Sequence, residues 1–164
     1  MDSQVIFIKN KMLDINLVVV GKIKNENLRI ACDDYQKRLK PFSKLKIQEI
    51  KAESFSDSTK DKAKKIEGEK LLKLLESLGG AIFLLSEHGN QFNSLSFSNK
   101  LEKLDGKKIV FVIAGSLGFN DELIGKYPSI SLSPLTFTHE MARLILLEQI
   151  YRAICIEKGK EYHY

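Results

Sequence analysis

Three short, largely apolar runs punctuate the chain: 15–20 in "DINLVVVGK", broken only by Asn16, 81–85 in "AIFLL" and 108–113 in "KIVFVI", apolar after Lys108. Runs of this length, rich in β-branched residues and closed by glycine or polar turns, predict strands buried on both faces. Longer segments lie between them. A helix is expected at 26–39, stopped by Pro41, and another at 60–78, with Asp57 and Ser58 as capping candidates and Gly79-Gly80 closing it. Weaker patterns predict a strand at 45–50, a polar loop at 86–93, a helix near 94–104, a short helix around 121–125 and a short strand at 130–132. A final helix starts at His139 and ends near Glu157, before the polar tail "KGKEYHY". Strands alternating with helices imply an α/β fold, a mainly parallel sheet flanked by helices on both faces. Residues 1–11 read as an N-terminal extension and 12–164 as a single domain.

The last helix is apolar around most of its surface, through Met141, Ala142, Leu144, Ile145, Leu146, Leu147, Ile150, Tyr151, Ala153, Ile154 and Ile156. Such a helix needs cover on most sides. Either a second subunit packs there, as in a symmetric dimer, or the helix is central in a monomer. Its polar residues are conspicuous: His139 at the start, Arg143 one turn later, and Glu148 with Arg152 at ion-pair spacing. Arg152 pairs with Glu148 or binds phosphate. His139 is a functional group or a surface residue after a Thr138 N-cap. The tail carries aromatic rings beside His163, Lys158 and Lys160, suited to base stacking or to ordinary fraying.

Composition narrows the function classes. The formal net charge is +5, from 26 Lys and Arg against 21 Asp and Glu. A moderate basic excess suits an acidic partner such as RNA and is also compatible with a merely basic protein. Cys32 and Cys155 lack metal-ligand spacing and read as free thiols of a cytoplasmic protein, so no metal is expected. No apolar run is long enough to span a bilayer, and no membrane partner is expected.

Two nucleotide signatures are missing. The first strand runs into "GKIKNEN" rather than the glycine fingerprint of dinucleotide folds, which disfavours a nucleotide-dependent oxidoreductase. "GSLGFNDELIGKY" is not a phosphate loop, since Asn120 stands at the first glycine position and Tyr127 at the magnesium-ligand position. Ligands of open α/β sheets nevertheless collect where loops leave the carboxyl ends of strands. Three loops do so: from Leu85 onward, Ala114 to Gly118 with Gly115 between, and Leu132 to Thr138 stiffened by Pro134. They are a pocket for a nucleoside-bearing cofactor or three ordinary turns.

Several motifs occur together and in order: "VVVGKIK", "YQKRL", "EGEKLL", "VIAGSLG" and "LSPLTFTHEMARLILLEQIYRA" with a terminal "YH". In this order they resemble the SPOUT-class methyltransferases of large-subunit ribosomal RNA, the large-subunit methyltransferase H family, over essentially 12–163. The resemblance implies a homodimer with a C-terminal trefoil knot, S-adenosylmethionine as cofactor, and methylation of N3 of a pseudouridine in 23S ribosomal RNA on the ribosome. By position it implies a cofactor site at Leu85, Ala114, Gly115, Leu132, Ser133, Pro134, Leu135, Thr136 and Phe137, to which the strand-end reading adds Gly118. The substrate side falls on His139, Arg143, Tyr151, Arg152 and His163. Removing the N3 proton calls for a base, His139, His163 or a water, with Arg152 as electrostatic stabiliser. Three positions depart from the family pattern: Ala114 for glycine, Thr138 for proline and Tyr164 for a basic residue. The alternative is a non-catalytic RNA-binding ribosome assembly factor with the same fold.

Overall fold

The computed structural model describes residues 12–163. Residues 1–11, expected as an N-terminal extension, and Tyr164 lie outside the described residues. Five parallel strands form one sheet: β1 (Leu13–Val20), β2 (Ser43–Ile50), β3 (Ala81–Gln91), β4 (Lys108–Ile113) and β5 (Ser129–Ser131). Their spatial order is β2-β1-β4-β3-β5. The helices are α1 (Glu26–Leu39), α2 (Lys60–Leu78), α3 (Ser94–Lys103), α4 (Asp121–Lys126) and α5 (His139–Glu157).

Alternation along the strands builds two cores. Ile15, Leu17 and Val19 of β1 join Ile109, Phe111 and Ile113 of β4 beneath α1, α3 and α5. Val18 and Val20 join Val110 and Val112 on the other face, under Leu71 and Leu75 of α2 and Leu123 of α4. Burial on both faces explains why β1 and β4 read as largely apolar runs.

Local chemistry sets the ends. Asn25, Asn93, Asn120 and Thr138 cap α1, α3, α4 and α5, each side-chain oxygen accepting from a first-turn backbone N–H. Ahead of α2 the turn Asp57–Thr59 is fixed differently from the sequence expectation. The Ser56 N–H donates to Thr59 Oγ1 at 2.9 Å, and neither Asp57 nor Ser58 is the cap. At the far end Gly79 takes φ +61, a backbone setting that favours glycine.

The region 86–93, expected as a loop, is instead strand through Gln91. Leu84 and Leu85 pair with Ser129 and Ile130, then Asn90 and Gln91 pair with Ile130 and Ser131, and the intervening residues bulge from the sheet. Polar "SEHGN" hides this extension because its side chains do not alternate into a core. Gly89 permits it: a Cβ there would stand 2.6 Å from the Ile130 carbonyl carbon.

The apolar circumference of α5 is covered largely within one chain, because α5 packs beside both α1 and α3 and over the sheet. The helix therefore does not by itself demand a partner.

Candidate functional site

One cavity of about 560 Å³ opens at the carboxyl ends of β3, β4 and β5. Its wall combines the start of the β3 bulge, the loop after β4 and the loop between β5 and α5. Leu85, Ala114, Gly115, Gly118, Leu132, Ser133, Leu135, Thr136 and Phe137 line it, so nine of the ten residues singled out for a cofactor meet there. Pro134 belongs to the same loop but not to the lining.

The loop 132–138 is shaped by small hydroxyls. Ser131 Oγ donates to the Ser133 carbonyl at 2.8 Å, Ser133 Oγ accepts from the Leu135 N–H at 3.1 Å, and Thr138 Oγ1 accepts from the Met141 N–H at 3.3 Å. Thr136 Oγ1 donates to Glu87 Oε1 at 3.2 Å, tying this loop to the β3 bulge across the cavity. Thr138 has φ −61, a value proline also adopts, so the departure there keeps the backbone and adds a helix cap. Ala114 is not among positive-φ residues, and its methyl group sits without backbone strain. Gly118 has φ +69 and turns the chain back toward α4.

His139, the first residue of α5, lines the cavity. Its Nε2 lies 3.3 Å from the Lys22 carbonyl oxygen. A carbonyl only accepts, so this contact places a proton on Nε2, and in the neutral ring Nδ1 is then the acceptor. Gly21, with φ +101, leaves room for that ring: a Cβ there would sit 3.0 Å from Nε2. Next along, Glu140 accepts from the backbone N–H groups of Asn25 at 3.0 Å and Lys24 at 3.2 Å. Those two bonds, the Asn25 one foremost, hold its carboxyl below the ordinary carboxylate value.

The remaining substrate-side candidates lie elsewhere. Arg143 is buried, its Nη1 2.7 Å from Glu49 Oε1, while its Nε finds no partner among the described residues. Arg152 is held by Glu148, with Nε to Oε1 at 3.0 Å, as the i, i+4 spacing predicts. His163 Nδ1 is 3.4 Å from Arg152 Nη1. Thirteen residues separate His139 from Arg152 on α5, about 20 Å at 1.5 Å rise per residue. One chain therefore places His139 at the cavity and keeps Tyr151, Arg152 and His163 away from it.

The tail is docked rather than frayed. The Tyr162 hydroxyl lies 3.1 Å from that of Tyr35 and 3.2 Å from Glu148 Oε1. Its ring meets Tyr151 edge-on, centroids 5.0 Å apart. Burial, with these neighbours, pushes the Tyr162 hydroxyl far above its ordinary value.

Residues that sequence reasoning does not single out complete the cavity: Lys64 from α2, Ser86, Glu87 and His88 from the bulge, and Phe119 with Ile124 from α4 and its approach. The bulge residues follow Leu85 directly, so their signal was local. Lys64 was legible only through tertiary structure, because α2 packs on the opposite sheet face. Among the described residues no group of three or more His, Cys, Asp or Glu could hold a metal ion, and no helix is long and apolar enough to cross a membrane.

Comparison with known proteins bears on this arrangement. The family described as "Predicted SPOUT methyltransferase" matches residues 13–163. The protein named ribosomal RNA large subunit methyltransferase H in Kosmotoga olearia is 35% identical over 156 residues, covering 93% of this chain and 100% of its own. Its namesake in Dictyoglomus thermophilum is 41% identical over 158 residues, with the same shares. Among solved structures, a probable methylase family protein from Haemophilus influenzae shares the fold, with a TM-score of 0.55 at 14% identity over 93% of this chain and 71% of that one. A match over nearly every described residue, with full-length relatives above 30% identity, establishes that the chain belongs to the SPOUT methyltransferases, in the large-subunit methyltransferase H family.

Proposed function

We propose that this chain transfers a methyl group from S-adenosylmethionine to N3 of a pseudouridine in 23S ribosomal RNA, acting on the assembled ribosome in the cytoplasm as a homodimer. The observation that carries this reading is the meeting of residues 85, 114–118, 132–133 and 135–137 around one cavity at the sheet's carboxyl edge. Its volume suits a nucleoside-sized ligand.

The residues present fit the cofactor. Leu85, Ile113, Leu132 and Phe137 offer an apolar bed for a purine, and Gly115 leaves backbone accessible beside it. Ser133 and Thr136 supply hydroxyls, and loop backbone supplies directional donors and acceptors. When bound, the cofactor supplies an electrophilic methyl group on a sulfonium centre. The chain supplies alignment, worth on the order of 7–11 kcal/mol when reacting groups are well oriented. The knotted threading implied by the family belongs to this reading, supported by the convergence of the loops after β4 and β5.

The N3 proton must leave. Of the two candidate bases, His139 stands at the cavity, whereas His163 lies beside Arg152, itself about 20 Å from His139 along α5. Arg152, Tyr151 and His163 therefore act at the cavity of a second copy, where the Arg152 cation stabilises the developing uracil-type anion. Exposed apolar side chains near the β5 edge support such a dimer: Leu135 is 71% exposed, Leu95 54% and Met141 37%.

Incubating ribosomes from a strain lacking this protein with the chain and a labelled methyl donor tests the reading, with nucleoside mass spectrometry as readout. Labelled methylpseudouridine is expected. Ribosome binding without any labelled nucleoside would instead leave a non-catalytic assembly factor.

A further inference from the structure

The described arginines are all engaged by carboxylates: Arg29 by Glu26 and Asp33, Arg38 by Asp34, Arg143 by Glu49 and Arg152 by Glu148. Phosphate contacts on a free surface of one chain therefore fall to lysines. Lys22, Lys24, Lys51 and Lys60 are exposed and Lys64 half-buried, and among the described residues none of the five forms an ion pair. All five lie on the edge of the sheet where the cavity opens. Lys22 and Lys24 follow β1 and adjoin His139, Lys51 follows β2, Lys60 begins α2, and Lys64 one turn later lines the cavity.

Acids on this edge are mostly occupied. Glu53 pairs with Lys70, Glu87 accepts from Thr136, and Glu140 accepts from the backbone before α1. Asp57 and Asp61 remain at the amino end of α2, and Asp121 and Glu122 at the amino end of α4, where the helix dipoles favour them. Within the same edge, between Lys51 and Lys60, Phe55 is 44% exposed. An exposed ring flanked by unpaired lysines is the composition that stacks a base and contacts the adjoining phosphates.

We infer that Lys22, Lys24, Lys51, Lys60 and Lys64, with Phe55, form the surface that docks ribosomal RNA, laying its backbone along β1, β2 and α2 so that one nucleotide reaches the cavity. This inference rests on the RNA-methyltransferase reading and adds the face by which the substrate arrives. The lysines act as point charges on phosphates, giving affinity and register. Phe55 holds an unstacked base beside the target.

Co-sedimentation with ribosomes across a salt series tests it, alongside calorimetry with S-adenosylmethionine. Each lost phosphate contact lowers the slope of log affinity against log salt by about 0.7–0.9, so the triple variant Lys22→Gln, Lys51→Gln, Lys60→Gln lowers it by about 2 to 3. Its donor affinity stays unchanged, because none of the three lines the cavity. Phe55→Ala lowers affinity about tenfold and leaves the slope alone. The control Lys103→Gln, Lys107→Gln, at the opposite edge of the sheet, keeps the wild-type slope. A triple variant with wild-type slope, or a control that loses as much, overturns the surface. A wild-type chain that binds donor but not ribosomes overturns the RNA reading itself.

Discussion

At the scale of single residues, the cavity depends on positions where side chains are small for a reason. A Cβ on Gly115 would stand 3.1 Å from Val20 Cγ1, so Val20 has to give by a few tenths of an ångström even for a methyl group, and a branched side chain adds bulk to a contact already tight. Gly115→Val is expected to weaken S-adenosylmethionine binding more than tenfold by calorimetry, while overpacking costs about 1–3 kcal/mol of stability. Donor affinity within threefold of wild type would remove the loop from the site. The place of Gly115 at the cavity was legible in "VIAGSLG", because small residues after a buried strand announce close backbone approach. The anchoring of His139 was not legible: its bond to the Lys22 carbonyl joins residues 117 apart in sequence. Lys64 escaped notice because a lysine in a lysine-rich helix carries no local mark of what it faces.

At the scale of elements, apolar runs buried on both faces were enough to place β1 and β4, and Pro41, Gly79-Gly80 and the apolar stretch after His139 placed α1, α2 and α5, although the cap expected for α2 at Asp57 or Ser58 was not found there. The bulged extension of β3 was not legible, since its register depends on pairing with β5 far along the chain. The packing of α2 on α4 has the same long-range character. A methyl group on Gly68 would overlap the Asn120 amide, whose Oδ1 accepts from the Leu123 N–H at 3.0 Å and caps α4. Gly68→Ala is therefore expected to lose about 0.5–2 kcal/mol, the worth of that cap, in chemical denaturation, despite the better helix propensity of alanine. An unchanged or raised midpoint would show that Asn120 moves aside freely.

The join of the tail to α1 and α5 gives a second element-scale expectation, in alkaline solution. The unfolded tyrosine titrates near its ordinary 10.0, and folded Tyr162 titrates well above that, chiefly through burial. Below 10 both states keep the proton and the contribution is complete. Above it the unfolded chain releases a proton that the folded chain retains, so stability falls as pH rises. Tyr162→Phe is expected to flatten the fall in Tm between about pH 9.5 and 11, at the cost of the bonds to Tyr35 and Glu148, about 0.5–1.5 kcal/mol each. Equal alkaline slopes in variant and wild type would mean that Tyr162 ionises freely.

At the scale of the whole molecule, the distance along α5 between the cavity and the proposed substrate-side residues decides how many chains make one site. His139 and the cavity stand at its start, Arg152 and His163 about 20 Å away. Within one chain they do not meet, so the proposed homodimer has to bring the tail of one copy to the cavity of the other. Two damaged chains should then repair each other. Gly115→Val spoils a cavity and spares its tail, and His163→Ala does the reverse. In a symmetric dimer, random mixing makes half the dimers mixed, and each mixed dimer holds one complete site of two, so about one quarter of wild-type methylation returns. The measurement is methyl transfer to ribosomes after the two inactive variants are unfolded together, refolded and compared with each variant treated alone. If sites were complete within single chains, mixing would restore nothing, and the tail would have to swing about 20 Å along its own helix to take part.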